Sequence, residues 1–134
     1  INFNWTSTNS WTTAYIMFYD MDTGPNPLTD LTIGSNVDWS NVTNFAYTFG
    51  ANGTLNSLTF PSNFDWSSGT SFQNFLSSTT IPTSDYNALL IDIEASNQNN
   101  NVVFDAPTCV ATGAGLTARN ALINDHSWTI NDNS

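Results

Sequence analysis

His126 and Cys109 are the sole histidine and the sole cysteine of the chain, so nucleophilic catalysis has few residues to draw on. A Ser-His-Asp arrangement needs a serine on a strained elbow, and no Gly-x-Ser-x-Gly occurs. His126 follows Asn124 and Asp125 just past an expected helix end, where an imidazole commonly serves terminal carbonyls. Cys109 can form neither an internal disulfide nor a paired-thiolate zinc site, and it reads as a small buried hydrophobe. Paired carboxylates could hydrolyse glycosides at separations of roughly 5 to 9 Å. The acids, however, are nearly all aspartates in expected turns, with Glu94 the only glutamate, and aspartate favours turns and caps because it bonds its own backbone. A secreted carbohydrate-active enzyme therefore stands behind the non-catalytic readings, and no catalytic residue is assigned.

Two other constellations could bind rather than react. Asp20-Met21-Asp22 has the alternating oxygen spacing that calcium sites use, without the spaced acids and terminal glutamate of an EF-hand loop. Asp20 and Asp22 are thus the candidate metal ligands, Ca²⁺ is the one conceivable ion, and no cofactor is expected. Trp39 and Trp66 occupy matching places in two similar stretches. Pointing outward, they would offer a ladder of flat faces for sugar rings; pointing inward, they would fill a bend in the core. Trp5, Trp11, Tyr15 and Tyr19 form a second aromatic group, whose exposure would mark an interface with a preceding domain or subunit. Arg119, the only Lys or Arg in the chain, is expected to clasp a carboxylate or carbonyls of the tail, with Trp128 as a second structural residue. Sequons stand at Asn4, Asn41 and Asn52.

The elements that must position these residues follow from an internal repeat. Leu28-Thr29-Asp30-Leu31-Thr32-Ile33 returns as Leu55-Asn56-Ser57-Leu58-Thr59-Phe60, and Asp38-Trp39-Ser40 returns as Asp65-Trp66-Ser67, each 27 residues on. Phe45 and Phe49 likewise match Phe72 and Leu76. A fixed period in the twenties marks a solenoid, whose units bury their apolar edges only by stacking. Each repeat predicts a short strand, a corner at Asp-Trp-Ser, then a short helical or 3₁₀ piece over 42–49 and 70–76, where apolar residues recur three or four apart. The expected fold is α/β: a short leucine-rich-repeat-like solenoid with a small parallel sheet on one side and short helices on the other. Residues 1–27 form a divergent first repeat or cap with a surface loop at 22–27, and 28–81 hold two full repeats. Residues 82–134 form a closing segment within the same domain.

In that closing segment Ser84 and Asp85 can cap a helix over 86–95, with Leu89, Leu90 and Ile93 on one face. An exposed turn at 97–101 precedes a strand at 102–104, and 112–115 reads as a flexible link. A second helix over 117–125 turns Leu116, Ala118, Ala121 and Leu122 inward, and Trp128-Thr129-Ile130 alternates as a closing strand.

The pattern Leu-x-x-Leu followed by Asp38-Trp39-Ser40-Asn41-Val42-Thr43-Asn44-Phe45 resembles the BspA-like class of bacterial surface leucine-rich repeats. The words Tyr86-Asn87-Ala88-Leu89-Leu90, Phe104-Asp105-Ala106 and Leu116-Thr117-Ala118-Arg119-Asn120-Ala121-Leu122-Ile123, leading to Trp128-Thr129-Ile130, are similar to a tail that follows such repeats in bacterial surface and phage-encoded proteins. The resemblance covers most of residues 28–132. It implies an exported adhesion or display domain with no catalytic activity, and it carries no site residue across. The chain departs from it in having two clear repeats rather than many, and tryptophan where a small polar residue is commoner.

Composition sets the partners. Eleven acids face one base, for a formal charge of -10. Nucleic acid and anionic membranes both require clustered Lys and Arg, so neither is expected. No apolar run is long enough to span a bilayer. With 9% charged residues, the solvent face must rest on Asn, Ser and Thr, roughly two-fifths of the chain. Such surfaces are common on secreted and virion proteins, and the opening at Ile1 fits a removed leader or a piece of something longer. The expectation is a non-catalytic extracellular, cell-surface or virion domain that contacts a receptor, a glycan or copies of itself, within a larger protein or assembly. The alternative is a self-assembling subunit of a fibre, coat or filament.

Overall fold

A computed structural model describes residues 1–3, 11–62 and 64–134. Trp5 and the sequon at Asn4 lie outside the described residues. The chain is a mixed α/β structure in the order β1 (Asn2–Phe3), β2 (Asp30–Ile33), β3 (Ser57–Thr59), α1 (Thr83–Ser96), β4 (Val103–Ala106), α2 (Gly113–His126) and β5 (Thr129–Asp132). Strands β1, β2 and β3 lie in that order in one parallel sheet, and β4 and β5 pair in a second. Asp30 opposes Ser57, Leu31 opposes Leu58 and Thr32 opposes Thr59, so residues matched by the repeat are also partners in register. Leu31, Ile33 and Leu58 point into the core while Asp30 and Thr32 face water, the alternation a half-buried strand requires.

A second backbone ladder runs along the far side of each pass. The N–H groups of Ala14, Ile16, Phe18 and Asp20 donate to the carbonyls of Asn44, Ala46, Thr48 and Gly50. Those of Phe45, Tyr47, Phe49 and Ala51 donate in turn to Ser71, Gln73, Phe75 and Ser77. Stretches 42–49 and 70–76 are therefore turns, not the helical pieces expected. With every second N–H spent on the neighbouring pass, an i to i−4 ladder cannot form. Local bonds such as Thr48 N–H to Phe45 O and Phe75 N–H to Phe72 O produce the three-residue spacing that imitates a helix. The turns use left-handed backbone at matched places: Ile16, Tyr47 and Asn74, then Asp20, Ala51 and Ser78, four residues further along each pass.

Beyond residue 82 helices take the place of the first-sheet strands. Helix α1 begins at Thr83 after Pro82, and no side-chain cap bond forms. Ser84 and Asp85 thus lie inside the first turn rather than capping it, and the Asp85 carboxylate instead accepts from Leu58 N–H at 3.1 Å and Ser57 Oγ at 3.2 Å. Helix α2 starts at Gly113, so the expected link over 112–115 is mostly helix. Gly115, Ala118 and Leu122 form its buried stripe, and Leu116 is exposed, contrary to expectation. The cause is the close approach of α1: a β-carbon on Gly115 would lie 2.2 Å from Asn87 Oδ1.

The core is a column of rings. Phe18 stacks on Phe49 at 5.5 Å and Phe45 on Phe72 at 4.9 Å. Phe72 meets Phe104 at 5.8 Å and Trp128 at 5.7 Å, which ties the repeats to the closing segment. Each such pair contributes about 1 kcal/mol beyond the area it buries. Among the described residues no helix is long and apolar enough to cross a membrane.

Candidate functional site

Trp39 and Trp66 are buried, at 2% and 0% exposure, so the outward ladder for sugar rings does not exist. Phe64 stands between them, 5.4 Å from Trp39 and 4.5 Å from Trp66. Three rings at one bend exclude water more fully than two rings facing it, which is why this corner turns inward. Both indole Nε1 atoms are buried without a hydrogen-bond partner. A groove of about 290 Å³ lies over this corner, lined by residues including Asp38, Trp39, Phe64 and Asp65. Its two carboxylates serve their own turns: Asp38 accepts from Ser40 Oγ at 2.6 Å and Ser40 N–H at 3.0 Å, and Asp65 from Ser67 N–H at 2.9 Å. The Ser40 hydroxyl, followed by its N–H, holds the Asp38 carboxyl below its ordinary value.

The aromatic group nearer the start of the chain divides. Trp11 is half-buried, with its ring 6.4 Å from Trp39. Tyr15 and Tyr19 are exposed, at 51% and 39%. They flank Tyr47 edge-on at 6.0 Å and 5.9 Å. Gly50 makes room for this arrangement, because a β-carbon there would lie 3.3 Å from the Tyr19 ring and 2.9 Å from Ser77 Oγ. Ile16 and Met21, at 44% and 42% exposure, extend the same face. Tyr47 was not singled out by the sequence reading. The signal was present, since Tyr47 matches Ile16 in the repeat and the ladder sets two first-pass residues beside it.

Asp20 is exposed in left-handed backbone, and its N–H bonds the Gly50 carbonyl. Asp22 Oδ2 accepts from Gly53 N–H at 3.0 Å, holding one loop to the next. Among the described residues no group of three or more His, Cys, Asp or Glu side chains is placed to hold a metal. His126 is half-buried at the end of α2, where its carbonyl accepts from Asn101 N–H. Burial pushes the Cys109 thiol up, and its Sγ lies 3.7 Å from Thr79 O. Asn41 is exposed. Asn52 is fully buried, its side chain bonded to the carbonyls of Phe18, Phe49 and Gly50 and to Met21 N–H, so the sequon there is closed to modification in the folded chain.

Arg119 pairs with Asp132 in the last strand, Nη2 to Oδ1 at 2.8 Å, with Nε donating to both carboxylate oxygens. Trp128 is buried and donates Nε1–H to Asn99 O at 2.8 Å.

No protein-family model, curated protein or solved structure matches this chain.

Among the described residues the exposed aromatic rings gather at the tyrosine face. It offers flat apolar rings, phenolic hydroxyls and no neighbouring cation, a combination suited to sugars or to apolar peptide side chains.

Proposed function

We propose that this chain is a non-catalytic display or adhesion domain, presented outside the cell or on a virion, that meets a receptor or glycan through the face formed by Tyr15, Tyr19 and Tyr47. On this reading it is a short solenoid of the BspA-like kind, closed by the α1 to β5 segment. Support for the solenoid comes from the in-register pairing of residues 27 apart, as at Asp30 and Ser57. The single observation that carries the function is the tyrosine trio, in which exposed Tyr15 and Tyr19 flank a half-buried Tyr47 while most other rings are buried in the core. The non-catalytic part is supported by the fate of the polar groups: Asp22, Asp85, Asp132, Arg119 and Asn52 each close a contact between passes or elements.

The test is a glycan array and immobilised-receptor binding with the whole chain and with a Tyr15→Ala, Tyr19→Ala, Tyr47→Ala triple variant. The expected result is at least a tenfold loss of binding with cooperative unfolding retained. Unchanged binding by the folded triple variant, or release of cleaved sugar by the parent chain, would overturn the reading.

A second reading, a subunit that assembles with copies of itself, is favoured by a different observation: among the described residues no donor reaches the carbonyls of Tyr15, Met17 and Tyr19.

A further inference from the structure

The indole N–H of Trp39 is a donor without an acceptor: the residue is 2% exposed, and Nε1 is buried with no hydrogen-bond partner. A donor taken out of water and left unpaired destabilises the fold. Trp128 shows the usual remedy, its Nε1–H given to Asn99 O at 2.8 Å. Trp39 differs in forming part of the wall of the groove of about 290 Å³ at its corner.

The carboxylates of that groove are acceptors with capacity to spare. Asp38 and Asp65, exposed on neighbouring passes, each spend Oδ1 on their own turn. Among the described residues nothing donates to either Oδ2. The chain's one Lys or Arg, Arg119, is held by Asp132 and is not available to them. Val37, Pro61 and Phe64 give the groove apolar walls.

These features select a ligand by elimination. Two carboxylates turn anions away. A metal ion or an ammonium group satisfies carboxylates but has nothing with which to accept the indole N–H. A hydroxylated ring does both: one hydroxyl donates to a carboxylate, another oxygen accepts from the indole, and its C–H faces pack on the apolar walls. The volume stands at the lower end of the about 300 to 1,000 Å³ of small-molecule sites, which suits one ring rather than an extended chain.

We propose that this groove binds a single neutral sugar ring, with hydroxyls donating to Asp38 Oδ2 and Asp65 Oδ2 and one ring substituent oxygen accepting from Trp39 Nε1–H. The site shares no residue with the face of Tyr15, Tyr19 and Tyr47 and does not rest on it. Because Nε1 is closed off in the free protein, the groove wall yields slightly as the sugar enters, and the indole reports that entry directly. Trp66 Nε1 is also unpartnered but Trp66 is not part of the lining, so its signal is an internal control.

The test is an NMR titration of the ¹⁵N-labelled whole chain with glucose, galactose and mannose in turn, following the assigned indole N–H signals. The expected result is a saturable shift of the Trp39 signal with at least one of the sugars, while the Trp66 signal stays in place. Asp38→Asn combined with Asp65→Asn keeps a turn-forming oxygen at each position and should weaken binding at least tenfold. The tyrosine triple variant should titrate like the parent. The proposal is overturned if no sugar moves the Trp39 signal, or if the folded aspartate variant binds as the parent does. It is also overturned if calcium chloride alone reproduces the shift and sugar adds nothing. Glycan binding that survives the tyrosine variant but not the aspartate variant overturns the tyrosine reading and supports this one; the reverse pattern does the opposite.

Discussion

The Tyr86 hydroxyl donates to Asp132 Oδ2 at 2.8 Å, joining the first helix to the last strand across 46 residues. Arg119 holds the other side of the same carboxylate, and Ser134 bonds it through both N–H and Oγ. The Asp132 side chain is wholly enclosed, and Arg119 is 16% exposed. Removing one partner of a buried pair leaves a charge without compensation, at a cost of about 3 to 5 kcal/mol. Arg119→Ala should therefore lose roughly 3 kcal/mol in denaturant unfolding, with ligand binding by the folded fraction unchanged. A variant with unaltered melting and abolished binding would give Arg119 a role in recognition instead.

The same cluster sets the pH range of stability. Burial pushes the Asp132 carboxyl up, but hydrogen bonds from Arg119, Tyr86 and Ser134 outweigh it and hold the group below its ordinary value. A depressed folded pKa contributes stability that is present above the unfolded value, about 3.9, and is lost as pH falls through the folded one. Tyr86 has the opposite sign. Burial first, and then the Asp132 charge, raise its pKa, so its contribution is present below about pH 10 and is lost as the unfolded chain ionises above it. Asp92, raised by burial, partly offsets the acid loss, since it gains stability as it protonates. Thermal midpoints should fall below about pH 4 and above about pH 10. Asp132→Asn should flatten the acid limb and Tyr86→Phe the alkaline one; limbs unmoved by these changes would place the titration elsewhere.

These contacts show where the sequence was legible. Repeat spacing located β2 and β3 and set Asp30 against Ser57, because side chains that recur at one period must recur in one place when passes stack. Helix α1 was visible through Leu89, Leu90 and Ile93, all buried on one face. The turns at 45–49 and 72–76 were misread because their ring spacing of three to four is also the helical period, and only the inter-pass bonds distinguish the two. The start of α2 was missed because two glycines read as a link, although Gly115 is there for the approach of Asn87. The tryptophan corner could not be assigned in or out. What decided it was Phe64, an aromatic ring before the repeated Asp-Trp-Ser where the first repeat has only Val37.

Asn52 is the polar residue on which two passes hang. Its amide nitrogen lies 2.9 Å from Phe49 O and 3.1 Å from Gly50 O, and also bonds Phe18 O in the preceding pass. Its oxygen accepts from Met21 N–H at 2.8 Å. Asn52→Ala would strand several buried backbone groups, each costing about 1 to 3 kcal/mol when left unpaired. The expected result is a loss of roughly 4 kcal/mol, or failure to fold, whereas Asn41→Ala on the surface should change stability by less than about 0.5 kcal/mol. A mild effect at Asn52 would mean that water replaces its bonds.

Gly115 sets the distance between the two helices. A β-carbon there would lie 2.5 Å from Asn87 Cγ and 2.7 Å from Asn87 Cα, so neither a rotamer change nor a small slide relieves it. Asn87 also bonds Thr112 N–H at 3.0 Å and Thr112 Oγ1 at 3.1 Å, holding the start of α2. Gly115→Ala should cost about 2 kcal/mol through overpacking, despite the better helix propensity of alanine. Ala114→Gly, one residue earlier and exposed, should cost no more than the propensity difference of about 1 kcal/mol. Equal effects at the two positions would show that helix propensity, not the contact, is being measured.

Ala51 adopts φ 55° at the point where its N–H reaches Ser77 O at 2.6 Å. Left-handed backbone costs a residue with a β-carbon about 1 to 2 kcal/mol, and glycine escapes that cost. Glycine also raises the entropy of the unfolded chain, which returns part of the gain. The net expectation for Ala51→Gly is a stabilisation of roughly 0.5 to 1 kcal/mol, read as a higher denaturant midpoint at unchanged slope. Ala46→Gly, on the same pass but without positive φ and almost fully buried, should lose stability instead. Opposite signs at the two alanines would separate the conformational effect from the loss of a methyl group. Destabilisation at both would mean that the turn ladder holds its left-handed residues without strain.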